Sequence, residues 1–140
     1  MSWKKPTDPD SLNEQSAGCA VEHLGILFVP SDSPDTIKAT MPVDHRTRQP
    51  FGLLHGGASV LLAETVGSMA ANLCVSDDQY CVGQSIQANH IRGVTEGTVI
   101  ASARARHLGR TTQVWQIDIE DTEQRLICSV SLTMAVLTRR

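Results

Sequence analysis

Residues 56–74 carry one charged side chain, Glu64, in a run of glycine, alanine, leucine, valine and methionine. No fold can leave such a segment in water. All six prolines lie at or before Pro50, so everything beyond is free to form long regular elements without breakers. The spacing predicts a helix over 56–74, roughly 28 Å long at 1.5 Å per residue and apolar around most of its circumference. Glu64, Asn72 and several serines and glycines make it a poor membrane span. It reads as a core helix that other elements must wrap.

The wrapping material follows in the chain. Residues 80–91, 98–107, 113–121 and 126–137 alternate with period two, and residues 26–29 and 36–41 flank a turn at 31–34. Ile37, Ala39 and Met41 share one face, as do Trp115, Ile117 and Ile119, and a third face is predicted for Leu126, Cys128, Val130, Leu132, Met134 and Val136. Short connections at 93–97, 108–110 and 122–125 make these strands antiparallel neighbours. Residues 11–24 read as short helical turns. The expected architecture is α+β: one antiparallel sheet of about six strands wrapped around one long central helix, a single domain over 1–140. The sheet's uncovered side invites a second subunit. This pattern resembles a hotdog fold.

Composition narrows the partners. Hydrophobic residues at 41% and charged residues at 19%, with no repeat or low-complexity tract, exclude disorder and solenoids. A net charge of -3 without a cluster of lysine and arginine lacks the footprint of nucleic-acid or anionic-membrane binding, which leaves small molecules. The polar start, Met1 to Pro9, has neither the apolar core of a signal peptide nor transit-peptide character, so a cytoplasmic protein is expected. Cys19, Cys74, Cys81 and Cys128 are too scattered for a zinc site or a disulfide framework. No metal or redox cofactor is expected.

Burying an ionised carboxylate without partners costs several kcal/mol, so Glu64 needs either chemistry or a structural partner. The run Gln49-Pro50-Phe51-Gly52-Leu53-Leu54-His55-Gly56-Gly57 leads directly into its helix. Gly56 and Gly57 remove side chains where free backbone N–H groups and the positive end of the macrodipole can approach a ligand oxygen. His55 and Gln49 can add side-chain donors to the same carbonyl, and one preorganised donor is worth roughly 2.7–4 kcal/mol in acyl transfer. Taken alone, the glycine pair is also what a capped turn requires. Ser68, at i+4 from Glu64, is placed to hold a water or orient the carboxylate.

Gly56 and Glu64 lie eight residues apart, roughly 12 Å along one helix axis. A reacting carbon must sit about 3 Å from both nucleophile and oxyanion donors, so if both act on it they come from different chains. A two-fold dimer with two composite sites follows. The macrodipole fades within about a turn, so Glu64 must draw its ionisation from polar neighbours instead.

Met41-Pro42-Val43-Asp44, Gln49 through Gly57, Ala63-Glu64, Ala88-Asn89-His90, His107-Leu108-Gly109-Arg110 and Val114-Trp115 together resemble the hotdog-fold acyl-CoA thioesterases of the 4-hydroxybenzoyl-CoA type. The resemblance spans nearly the whole chain and points to the subgroup of enterobactin proofreading and dihydroxynaphthoyl-CoA thioesterases, the latter of menaquinone biosynthesis. It implies hydrolysis of an acyl-CoA, aryl-CoA or acyl-carrier thioester, with Glu64 as nucleophile or general base. Gly56 would polarise the carbonyl, and Gln49 and His55 of the facing subunit would help orient it. It also implies dimers that pair into a tetramer. For the phosphates of coenzyme A, the basic residues His90, Arg92 and Arg110 are the binding candidates, and Met69 is a candidate for the acyl pocket. Two rivals stand beside hydrolysis: a hotdog hydroxyacyl-thioester dehydratase using His55 and Glu64, and a non-catalytic acyl-CoA binding protein. The dehydratases enter the helix with proline-glycine, whereas this chain has His-Gly-Gly.

Overall fold

A computed structural model describes residues 3–140; Met1 and Ser2, the first residues of the polar start, lie outside the described residues. Two short helices, α1 (Pro9–Gln15) and α2 (Ala20–His23), precede β1 (Leu27–Val29) and β2 (Thr36–Pro42). Then come the long helix α3 (Gly56–Leu73) and four strands: β3 (Gln79–His90), β4 (Thr98–Leu108), β5 (Thr112–Asp121) and β6 (Leu126–Thr138). All six strands form one antiparallel sheet in the order β1-β2-β4-β5-β6-β3. That sheet curls around α3, the hotdog arrangement.

Sheet and helix meet through small residues. Ala58, Ala63, Gly67, Ala70 and Ala71 are buried on α3 beside Leu62 and Val66. A Cβ on Gly67 would stand 2.5 Å from Leu132 Cδ2 and 3.1 Å from Ile117 Cδ1, so glycine is what lets the helix axis approach the sheet there. The inner face of the sheet is the alternating set expected from period two: Ile37, Ala39 and Met41, then Trp115, Ile117 and Ile119, all buried. One assignment is corrected. Leu126 is exposed, Val136 only half-buried, and Ile127 and Cys128 are both buried. The register slips between Ile119 and Glu120, where Cys128 and Leu126 become their successive partners, and this bulge at Ile127 reverses which side faces the core.

Helix ends are closed by local caps and by neighbours far along the chain. The Asp8 carboxylate accepts from the Ser11 N–H to cap α1, and Pro9 takes the first helical position. At the other end of α3, the orphan carbonyls of Leu73 and Asn72 accept from the Lys4 N–H at 2.8 Å and Lys5 Nζ at 3.0 Å. Lysine at a helix C-terminus also complements the macrodipole.

The two outer strands differ in how their free edges are treated. At β1, the Asn13 side chain accepts from the Phe28 N–H at 2.7 Å and donates to the Phe28 carbonyl at 3.0 Å. Phe28 is the middle residue of a three-residue strand, so this one amide closes the edge. At β3, Asn72 does the same for Cys81 alone, accepting from its N–H at 2.8 Å and donating to its carbonyl at 3.1 Å. The strand beyond, from Val82 to Ser85 and at Gln87, Asn89 and His90, is exposed.

Candidate functional site

The approach to α3 is a tightly bonded loop. The Gly52 N–H donates to the Gln49 carbonyl at 2.9 Å in a turn that needs φ +86° at Gly52, and the His55 N–H donates to the Thr47 carbonyl at 2.7 Å. Within the turn, Gln49 Oε1 accepts from the Phe51 and Leu53 N–H groups. Its Nε2 amide is therefore the end left to donate outward. Phe51, at 89% exposure, projects from the tip of this loop into solvent.

His55 is the N-cap of α3, and its Nδ1 accepts from the Gly57 N–H at 2.8 Å. This uses one of the free amides that the glycine pair offers, leaves Nε2 as the ring nitrogen able to donate, and leaves the Gly56 N–H without an acceptor among the described residues. The Gly56 amide lies at the positive end of a helix of 18 residues.

Two cavities hold six of the eight predicted residues between them. Gln49, Gly56, His90 and Arg92 line one of about 320 Å³ at the mouth of α3. Glu64 and Ser68 line the other, of about 730 Å³, with Gly57, Thr65, Met69 and Asn72 along the same face of α3. Gly57 and Glu64, seven residues or two turns apart, share that face, while Gly56 is rotated about 100° from Gly57. Within one protomer, the structure does not bring Gly56 and Glu64 into one cavity. His55 sits at the cap between the two and lines neither, and Arg110, exposed in the β4–β5 turn, also lines neither.

Glu64 is half-buried, and no hydrogen bond or ion pair holds its carboxylate among the described residues. Its nearest constraint is a glycine on the exposed strand: a Cβ on Gly83 would stand 2.6 Å from Glu64 Oε2. The register of β3 against β6 shifts between Gly83 and Ser85, so a bulge adjoins the carboxylate. Ser68 Oγ donates to Met134 Sδ at 3.7 Å, a weak bond that leaves the hydroxyl easily recruited by a stronger acceptor.

Several residues at the site gave no signal in the sequence. Gln15, Ser16 and Val21, from the N-terminal helical segment, close the far wall of the Glu64 cavity. Gly83 makes room for the carboxylate, and Asn72 ties the helix to the strand carrying Gly83. Among the described residues, no three His, Cys, Asp or Glu side chains converge in a metal-binding group. No helix of the described chain is long and apolar enough to cross a membrane.

Comparison with known proteins agrees with this fold. Residues 51–128, more than half of the chain, match the Thioesterase superfamily. The 1,4-dihydroxy-2-naphthoyl-CoA hydrolase of Escherichia coli is 50% identical over 137 residues, covering 98% of this chain and 100% of that protein. The proofreading thioesterase EntH of Cronobacter sakazakii is 49% identical over 137 residues, covering 98% and 99%. A crystal structure of a thioesterase from Haemophilus influenzae superposes with a TM-score of 0.95 at 51% identity, covering 99% of this chain and 96% of that one. A six-stranded hotdog sheet, a carboxylate on its central helix and relatives at half identity along the whole length agree: the chain belongs to the Thioesterase superfamily and is a thioester hydrolase.

Proposed function

We propose that this chain hydrolyses an acyl-CoA or aryl-CoA thioester at a site completed by two protomers, Glu64 coming from one and the Gly56 N–H from the other. The observation that carries this reading is the Glu64 carboxylate, unpaired, facing a cavity and backed by the exposed strand β3. A carboxylate so placed has two routes. As nucleophile it attacks the thioester carbon, expels coenzyme A as thiolate and leaves a mixed anhydride that water cleaves. As general base it takes a proton from water, whose oxygen attacks the same carbon; the tetrahedral intermediate then collapses, and the proton passes to the departing thiolate. In either route the carbonyl oxygen gains negative charge, and the free Gly56 N–H at a helix N-terminus is suited to receive it. Gln49 Nε2 and His55 Nε2 are the side-chain donors available to orient the same group, and Ser68 to hold water.

The open edge of β3 supports assembly through that strand, because an unpaired row of backbone groups is a template for a second copy. Dimers formed this way, and dimers of dimers, are part of the proposal. The cavity's aliphatic lining of Val21, Val60, Leu61 and Met69 suits an aryl or medium acyl group, and the E. coli relative makes 1,4-dihydroxy-2-naphthoyl-CoA, and with it a step in menaquinone biosynthesis in the cytoplasm, the first case to assay. His90, Arg92 and Arg110 are proposed to contact the coenzyme.

The test is turnover by Glu64→Ala and Glu64→Gln. Both are expected to abolish hydrolysis, the second less completely, with the assembly intact; unchanged turnover in either removes Glu64 from the chemistry. Mixing a Glu64→Ala chain with a His55→Ala chain is expected to restore part of the activity through hybrid sites. Verified heterodimers without activity would overturn the shared site.

A further inference from the structure

His90 is held from behind by a buried thiol. His90 and Cys128 are direct cross-strand partners on β3 and β6, and Cys128 Sγ lies 3.6 Å from His90 Nδ1. Cys128 is fully buried, and desolvation raises its thiol above the ordinary cysteine range, so the sulfur keeps its proton. On the opposite side of the ring, Nε2 lies 3.0 Å and Cε1 3.1 Å from the point where a Cβ on Gly56 would stand. The imidazole therefore rests on the first residue of α3, in the cavity that Gln49 also lines. Any side chain at position 56 would push it away.

We propose that Cys128 is a positioning residue for the active site: its S–H donates to His90 Nδ1, fixes the tautomer with the proton on Nε2, and aims that N–H into the cavity beside the Gly56 amide. The logic is that of any imidazole whose second nitrogen is committed, where the bond at one nitrogen sets what the other presents. A thiol is a weak donor, so its contribution is orientation rather than binding strength. Being buried on a sheet strand, it cannot follow the ring if the ring turns, and a rotated ring would carry Nε2 away from Gly56.

The functional part rests on the reading that the cavity at the mouth of α3 receives the thioester; the Cys128 contact does not. The test uses the full-length protein and benzoyl-CoA. Cys128→Ala is expected to lower kcat about tenfold with little change in KM, the size of effect typical when an orienting partner is lost. Cys128→Ser, which keeps a donor, is expected to recover most of the loss. In a His90→Ala background, Cys128→Ala is expected to have no further effect, because its influence passes through that ring. Imidazole nitrogen shifts measured by NMR should show Nδ1 unprotonated and Nε2 protonated, with a mixture of tautomers in Cys128→Ala. Equal losses in both backgrounds, or a proton on Nδ1 of the unsubstituted protein, would overturn the proposal. Failure to hydrolyse any thioester would instead strike the reading of the site, while the nitrogen shifts would still decide the contact.

Discussion

Gly83→Ala isolates the position of one carboxylate. Gly83 does not adopt a left-handed backbone, so alanine meets no conformational barrier there, and replacing glycine in a strand interior should if anything favour the strand. The added methyl, however, would stand 2.6 Å from Glu64 Oε2 and 3.2 Å from its Cδ. Ordinary van der Waals contact begins at 3.4 Å, so the carboxylate must retreat by about 0.8 Å. A displacement of that order in a reacting group costs about 10²-fold in rate. We expect kcat on an aryl-CoA to fall on the order of 10²-fold while the thermal midpoint and the oligomeric state, read by sedimentation velocity, stay as they were. Gly67→Ala is the control, since its methyl would strike Leu132 and Ile117 inside the helix–sheet contact. That is overpacking, with a cost of about 1–3 kcal/mol in stability and no direct push on Glu64. Full turnover by a folded Gly83→Ala protein would refute the argument that Glu64 acts from where it now sits.

The Asn72 clamp and the Asp44 ion pair give two further tests. Asn72→Leu removes both hydrogen bonds to Cys81 and a third to the Ser68 carbonyl, and is expected to cost about 3 kcal/mol in urea unfolding, at about 1 kcal/mol each, with faster amide exchange at Cys81. Exchange as slow as before would mean that the clamp does not protect the strand. The hydrogen bonds from Arg46 hold the Asp44 carboxyl down at about 2. A folded value below the unfolded one, about 3.9, means that the stabilisation is complete above the unfolded value and is lost as pH falls through the folded one. Asp44→Asn should therefore lower the thermal midpoint at pH 5 and above, with the difference closing as pH approaches 2. A difference independent of pH would show that the charge is not its source.

What the sequence discloses depends on how local the cause is. The α3 helix ends at Leu73 with Cys74 as its cap, one residue from the expected boundary, because an uninterrupted apolar run without proline leaves little choice. The strands likewise appear where period two places them, each within a residue or two. Leu126 fails because a bulge at Ile127 slips the phase, and no residue type near it announces a bulge. Asn13 and Asn72 escape notice for a different reason. Each binds a strand 15 or 9 residues away, and an asparagine in or near a helix carries no mark of the backbone it will meet. Gly83 is invisible until the strand is laid across Glu64, and the same holds for Gln15 and Val21 at the cavity wall. Glu64 itself was legible because its type was wrong for its surroundings.

The two asparagines also say where a second chain would attach. Both outer strands of this sheet would be templates for pairing, yet one amide suffices to shut β1, whose only outward residue is Phe28. The same device on β3 shuts Cys81 and leaves the outer edge of the rest of this 12-residue strand without a partner among the described residues. Natural sheets blunt edges that must stay free, and the long unblunted edge of β3 is the reason the proposed assembly is placed on that strand. Gly83, the residue against which the Glu64 carboxylate rests, lies on that strand just past the clamp. Strand pairing there would bury the back of Glu64 and exclude water from its cavity in the same step. Under the proposed assembly, an acid half-solvated in a single protomer would gain its working environment when the mouth of another α3 arrives to complete the site.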